Sequence, residues 1–409
     1  MKANDPAAPM LERALALVDD HSLGAVKEWK AAHPGALAVG HMPVYAPRPL
    51  FEAIGCLPVA VFGGGDALDI IRGDSYFQSY ICHIPRSTVE LGLGGHLDAL
   101  DGMVFPSICD VIRNLGGMWR MLFPDKYTAY LDLPQNFQRE VGGRFYASEL
   151  RRIARELEQR GARPLDADAL GGAIAREDLR RAALEDLDAV RLAEPWRLRA
   201  SEAYLAVRAG AVLPVEAHVK LLREILAAVK LRTARPLDNV RVVLVGSFCE
   251  QPPIDLIRAL EKAGCDIVED DFQLGMRTIR GPIAPRPGED PVDALSRAFL
   301  EQGMDAAYRY IDKGEKGAQL ISRVKACNAD GVIFAAASFC DPALLDQPML
   351  EHALRRAGVP HTSFKFSENT GQFQVIREQA GAFSDAVRLW GPGAAQTTQP
   401  TQLNGEAIA

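Results

Sequence analysis

Three short phrases with the same chemistry recur along the chain: Ser107-Ile108-Cys109-Asp110, Ser247-Phe248-Cys249-Glu250 and Ser338-Phe339-Cys340-Asp341. Each follows a short apolar run and leads into a helical pattern. A thiol just ahead of a helix sits in the positive end of the helix dipole, which favours the thiolate. Thiolate is the ligand that iron–sulfur clusters and other soft metals select. The neighbouring Ser and exposed backbone N–H groups can donate to sulfur, so Ser107 and Ser338 are candidate supports for Cys109 and Cys340. One such phrase alone is ordinary, because Cys is small and commonly buried. Three copies, each where an open α/β sheet places its chemistry, point to a shared soft-metal site.

A fourth thiol, Cys82, lies in a polar and aromatic stretch over 73–87 that holds Tyr76, Tyr80, His83 and Arg86. This stretch reads either as part of a site or as a helix face with one buried thiol. It follows Gly63-Gly64-Gly65, a turn through which a phosphate or cluster can approach the backbone. Cys56, Cys265 and Cys327 read as core residues. His41 closes the first strand pattern, while His33, His96, His218, His352 and His361 are expected at the surface or as caps. The histidines form no HxxxH or HExxH pair, which disfavours a zinc hydrolase. The cysteines form no CxxC pair, and no GxxxxGK[ST] loop is present.

These residues need strand ends to hold them. Alternating patterns predict strands over 36–40, 57–62, 102–106 and 127–132, with helices over 48–55, 74–92 and 109–121 between them. Residues 145–232 are rich in Arg, Glu, Leu and Ala and carry helical periodicity without a strand. Strands resume over 240–246, 265–269, 331–335 and 360–365, alternating with helices over 253–263, 291–303, 315–328, 342–357 and 373–389. The expected organisation is N-terminal helices over 1–35, a first α/β domain over 36–144 and a helical segment over 145–238. A second α/β domain over 239–390 and a disordered tail over 391–409 complete it. Cys109 and Cys340 fall at matching places in the two halves, the mark of a weak internal repeat.

The chain of 409 residues has a formal charge of −7, which argues against a nucleic-acid or anionic-membrane surface. No apolar run is long enough to span a bilayer, and the N-terminus lacks the apolar stretch of a signal peptide. A cytoplasmic protein is expected, in which cysteines serve as thiols or ligands rather than as a disulfide framework.

Taken together, Phe105–Asn114, Phe334–Pro342, Gln78–Ser87 and Gly246–Pro253 resemble the 2-hydroxyacyl-CoA dehydratase / benzoyl-CoA reductase family. Within it they look most like the gamma (C) subunits of the ATP-dependent, class I benzoyl-CoA reductases. The likeness runs from about residue 8 to Trp390. It implies two flavodoxin-like parallel-sheet domains with a helical segment between them. It also implies a [4Fe-4S] cluster on Cys82, Cys109 and Cys340. Cys249 is not among the family's common three and stands as a possible fourth ligand, a nearby thiol or packing.

The activity implied is two-electron reduction of the aromatic ring of benzoyl-CoA to a cyclohexadienoyl-CoA, with His83, Tyr76 and Tyr80 as candidate proton donors. Such a chain works in a hetero-oligomer with a related cluster-bearing subunit and two ATP-binding activator-type subunits. ATP and Mg would sit only on the activators, and an external low-potential donor such as ferredoxin would supply electrons. Two alternatives remain open from the residues: a 2-hydroxyacyl-CoA dehydratase subunit, and a non-catalytic two-domain binder of small ligands.

Overall fold

The computed structural model describes residues 5–65, 68–246, 253–271, 279–303, 316–367 and 373–391. The chain opens with helices α1 (Ala8–Asp19) and α2 (Gly24–Ala32). The first sheet and its helices follow: β1 (Ala38–His41), α3 (Arg48–Ala53), β2 (Leu57–Ala60), α4 (His83–Leu93), β3 (Gly102–Pro106), α5 (Asp110–Leu122) and β4 (Tyr127–Leu131). A helical stretch comes next: α6 (Arg144–Glu158), α7 (Ala167–Ala193), α8 (Ala200–Ala209) and α9 (Val215–Lys230). The second sheet is built from β5 (Val240–Val245), α10 (Ile254–Lys262), β6 (Cys265–Asp270), α11 (Pro291–Gln302), α12 (Ala318–Ala326), β7 (Gly331–Ala337), α13 (Asp341–Arg356), β8 (His361–Phe366) and α14 (Phe373–Trp390).

Both sheets are parallel throughout and share one strand order, β2-β1-β3-β4 and β6-β5-β7-β8. This is the doubly wound, flavodoxin-like arrangement. Parallel strands buried on both faces read as continuous apolar runs, as β7 does along its whole length, and β1 is likewise buried throughout up to His41. In the second sheet, Val242, Leu244, Ile333 and Ala335 face a core shared with the first sheet. Val243, Val245, Val332 and Phe334 pack on the opposite face with Leu320, Val324 and Leu354. The edge strand β4 alternates between buried and half-buried residues.

The helical stretch has its own core, in which Leu184 and Leu187 of α7 meet Leu205, Leu222 and the α1 residues Leu11 and Ala14. Helix α8 has no counterpart in the periodic pattern of the sequence. Ala203, Tyr204, Leu205, Ala206 and Val207 are all buried, so it lacks the polar face that creates a helical period. Asp166 caps α7 by accepting the Ala169 N–H at 2.8 Å.

The expected helix over 74–92 is broken. A 3-10 turn at Gly73–Tyr76 is followed by irregular chain, and α4 begins only at His83. Pro85 explains the late start. Its ring lacks an N–H and is tolerated in the first turn but not inside a longer helix. His218 also departs from expectation, being fully buried on α9 with Nε2 2.9 Å from the Ala206 carbonyl. It fills the space beside Gly210, where a Cβ would collide with the imidazole ring. The tail over 392–409 lies outside the described residues.

Buried charge pins α7 to both sheets. Near its middle, Glu177 pairs with Arg48 of α3 at 3.3 Å. Near its end, Arg191 pairs with Asp270 of β6, and both side chains are at most 1% exposed. Removing one partner of such a pair leaves an uncompensated buried charge, at a cost of about 3–5 kcal/mol. Asp270→Ala is therefore expected to lower the urea midpoint of the first unfolding transition sharply. Replacing the pair together, as Arg191→Met with Asp270→Leu, is expected to recover most of the loss.

Candidate functional site

The strand order of each sheet reverses between its first and third strands in sequence, β1 and β3 in one sheet and β5 and β7 in the other. Such switch points open a crevice beyond the carboxyl ends of the strands. The thiols lie there. Cys109 follows the last residue of β3, Pro106, by three positions, and Cys340 follows the last residue of β7, Ala337, by three. Cys109 is the N-cap of α5, Cys340 of α13 and Cys82 of α4. The break of the expected 74–92 helix is what gives Cys82 this place. Cys249 lies outside the described residues.

Cys340 is buried, while Cys82 and Cys109 are half-buried against the core that both sheets share. Burial pushes the Cys109 thiol above its ordinary pKa, and the nearby Cys340 adds to the effect. The backbone N–H groups of Ile112 and Val111 point at the Cys109 sulfur and act in the opposite sense. Two thiols that follow strands of different sheets thus lie near enough to influence each other, each at a helix N-terminus. A metal would take the place of their protons.

Among the described residues, no three His, Cys, Asp or Glu side chains converge tightly enough to hold one metal ion. A single ion gathers its donors around one centre. A cubic cluster instead gives each thiolate its own iron at a separate corner and so spreads the sulfurs apart. Three helix-capping thiols on one core suit a group of the second kind in donor type and setting.

The two candidate supporting serines have matching backbone roles. Ser107 N–H donates to Leu131 O of β4 at 2.9 Å, and Ser338 N–H donates to Phe366 O of β8 at 2.7 Å. Each extends its sheet one bond past the end of the central strand. The Ser107 hydroxyl accepts the Leu133 N–H at 2.8 Å and is hydrogen-bonded to the Tyr130 hydroxyl. The guanidinium of Arg113, one turn into α5, lies 5.6 Å from the centre of the Tyr130 ring. Neither Arg113 nor Tyr130 stands out in the sequence, since each is a single residue in an ordinary helix or strand pattern.

Around Cys82, His83 is buried in the first turn of α4, whereas Tyr76 and Tyr80 are 42% and 59% exposed. Tyr76 borders a groove of about 410 Å³ between the 75–81 segment and Val111, Asn114 and Met118 of α5. The glycine turn lets this region close up. Gly63 has φ of +78°, and a Cβ there would collide with Ser87 of α4. His41 at the end of β1 is fully buried, and burial next to Arg48 pushes its pKa down to about 3. Cys56 and Cys265 are buried with pKa values pushed up to about 12, chiefly by burial. Cys327 is also buried, at the end of α12.

Glu90 of α4 clasps the chain that leads to Cys82. Its carboxylate accepts the backbone N–H groups of Ile71, Arg72 and Gly73 at 3.0, 2.6 and 2.7 Å, and pairs with the Arg72 guanidinium at 3.2 Å. Burial opposes ionisation, but these donors outweigh it and hold the carboxyl below its ordinary range. The sequence signal for this clasp is one acid on an otherwise apolar helix face.

Two parallel sheets of this order, with capping thiols beyond the central strand of each, define a doubly wound α/β protein of two similar halves. Residues 43–387 match the family described as 2-hydroxyglutaryl-CoA dehydratase, D-component, and the chain belongs to that family. It is 47% identical over 384 residues to a benzoyl-CoA reductase subunit of Thauera aromatica, covering 94% of this chain and 99% of that one. The (R)-phenyllactyl-CoA dehydratase beta subunit of Clostridium sporogenes is 26% identical, covering 86% of this chain and 92% of its own length. The beta subunit of lactoyl-CoA dehydratase of Anaerotignum propionicum is 25% identical, covering 89% and 95%.

Because the folded pKa of Glu90 is depressed, its clasp contributes above the ordinary carboxylate range and is lost as acid protonates it. Bonds to a charged group are worth about 1.5–3 kcal/mol. In Glu90→Gln, the amides of Ile71, Arg72 and Gly73 are expected to exchange hydrogen at least about tenfold faster than in the parent. In the parent, their protection factors should fall as pH drops through the depressed pKa.

Proposed function

We propose that this chain is an iron–sulfur subunit of an ATP-dependent benzoyl-CoA reductase, which reduces the aromatic ring of benzoyl-CoA by two electrons to a cyclohexadienoyl-CoA. The observation that carries this reading is the 47% identity to the Thauera aromatica reductase subunit over nearly the full length of both chains. The dehydratase beta subunits of the same family stand at 25–26%. That gap favours ring reduction over the dehydration reading. The sheet switch points and their capping thiols favour a catalytic or electron-carrying role over a simple ligand binder.

On this reading Cys82, Cys109 and Cys340 hold a [4Fe-4S] cluster. Such a cluster, when bound, supplies single electrons at a potential set by its charge, hydrogen bonding and burial. The residues of this chain set those terms. The helix N-termini of α4, α5 and α13 favour negative charge at the thiolates. The Val111 and Ile112 amides hydrogen-bond sulfur, and the apolar core limits water. Three protein thiolates leave one corner for another ligand, for which Cys249 is a candidate. His83, Tyr76 and Tyr80 lie in the segment around Cys82 and are the candidate proton donors. His41 and His218 are poor ones, because each has a pKa pushed down to about 3 by burial.

Partners follow from the same proposal: a related cluster-bearing subunit, two ATP-binding activator-type subunits, and a low-potential donor such as ferredoxin. ATP and Mg belong to the activators. No helix among the described residues is long and apolar enough to cross a membrane, and the assembly is proposed to work in the cytoplasm. No nucleic-acid partner is proposed.

Two experiments test this reading. Cys82→Ala, Cys109→Ala and Cys340→Ala are each expected to lower iron and sulfide content of anaerobically prepared protein and to abolish ring reduction. Full iron content and normal turnover in Cys109→Ala would defeat the ligand assignment. Cys249→Ser is expected to keep the cluster with altered lability. In anaerobic reconstitution with subunits omitted one at a time, dienoyl-CoA should form only when the related subunit and the activators are present. ATP-dependent product from this chain alone, or water loss from a 2-hydroxyacyl-CoA without net electron consumption, would overturn the functional reading.

A further inference from the structure

Residues on either side of Cys109 in the chain meet at one side chain, Tyr130 of β4. Two positions before Cys109, the Ser107 hydroxyl is hydrogen-bonded to the Tyr130 hydroxyl and accepts the Leu133 N–H at 2.8 Å. Four positions after it, the Arg113 guanidinium lies 5.6 Å from the centre of the Tyr130 ring, within cation–π range. The Arg113 N–H also donates to the Cys109 carbonyl at 3.1 Å, in the first turn of α5. Tyr130 therefore closes a ring of contacts around the thiol-bearing residue. One arm runs back through Ser107, and the other runs forward through Arg113.

The ring is anchored in the sheet. Ser107 N–H donates to Leu131 O at 2.9 Å, so the backbone and hydroxyl of one serine grip both residues that flank Asp132. Leu131 and Leu133 are buried, which fixes what the serine holds. A Ser hydroxyl has one proton and two lone pairs, and Tyr130 and Leu133 take two of those three positions. The second half carries a different pair at the matching places. Tyr130 is in register with Phe105, four residues before Cys109, whereas the residue in register four before Cys340 is Lys365, which is exposed. Four residues after Cys340 stands Leu344. The Ser N–H bond to the edge strand is common to both halves, so the side-chain ring is what distinguishes Cys109.

We infer that Tyr130 is a positioning residue for Cys109. Held by Ser107 and braced by Arg113, it fixes the thiol from both directions along the chain. Resting on the cluster reading given above, this makes Cys109 the corner of the cluster whose place is set by side chains of its own half. Losing the Tyr130 hydroxyl frees the Ser107 hydroxyl to rotate and loosens the turn that carries the thiol, while the phenyl ring keeps its contact with Arg113.

The test compares the full parent chain with Tyr130→Phe, before and after anaerobic cluster loading. In the iron-free chain, iodoacetamide is expected to alkylate Cys109 about fivefold faster in the variant, the factor that one ordinary hydrogen bond is worth. The rate at Cys82 should not change. In the loaded chain, the variant is expected to hold full iron, to release it to a chelator faster, and to show a shifted midpoint potential in a redox titration followed by electron paramagnetic resonance. Ser107→Ala should act in the same direction and Ser107→Thr, which keeps a hydroxyl, should recover most of the parent behaviour. Lys365→Ala, at the matching place of the second half, should leave all of these readouts at their parent values. Alkylation of Cys109 at the parent rate in Tyr130→Phe overturns the inference, as does equal acceleration at Cys82, which marks general loosening. An unshifted potential in a fully loaded variant overturns it too. A parent chain that takes up no cluster defeats the cluster reading alone, and the alkylation rates then decide the role of Tyr130.

Discussion

The arrangement of the two sheets depends on buried ion pairs made by a single helix. α7 has 27 residues, about 40 Å at the usual helical rise, and is fixed at two points by charges that water does not reach. Glu177 holds the first half through Arg48, and Arg191 holds the second through Asp270. Apolar contacts alone are non-directional and would tolerate sliding. A desolvated ion pair tolerates little, because each ångström of separation exposes an unpaired charge. That rigidity also fixes how the ends of β3 and β7, which lead to Cys109 and Cys340, stand to one another.

Much of this is legible in the chain, for a physical reason. Buried parallel strands are short continuous apolar runs, and β3 is bounded in the structure where its run begins and ends, at Gly102 and Pro106. The amphipathic pattern of α5, with Ile112, Leu115 and Trp119 buried, is equally direct. The illegible parts lack a periodic signal. α8 is buried around most of its circumference, and the segment before Cys82 is governed by one proline and by a distant carboxylate, Glu90. At the site, the placement of Cys109 and Cys340 at strand ends is visible from spacing. The commitment of the Ser107 hydroxyl to Leu133 and Tyr130 is not, because it depends on a neighbouring strand. The burial of His218 is hidden for a related reason: a histidine in an amphipathic helix gives no hint that Gly210 has left room for its ring.

The two halves repeat a topology without repeating its details. Both central strands are prolonged by a serine N–H bonded to the edge strand, yet the turns that follow differ. Ile108 is buried, while Phe339 at the matching place is half exposed with φ of +65°. Cys109 has an extended backbone, with φ −156° and ψ 170°, and Cys340 has φ −81° and ψ 85°. A shared plan therefore presents two thiols from unlike backbones. The first half adds a third, Cys82, on a helix that has no thiol-bearing match among the described residues of the second.

The distribution of the thiols along the chain also sets a clock. A ribosome adding roughly 5–20 residues per second takes roughly 10–50 s to pass from Cys109 to Cys340. Once β4 has emerged, the first sheet can be complete for the rest of that interval, with Cys82 and Cys109 in place but their counterpart from the second sheet not yet made. Any group that requires thiols from both halves must be inserted after synthesis is essentially finished. Until then Cys82 and Cys109, each at a helix N-terminus, wait without Cys340 and are open to any oxidant that reaches them.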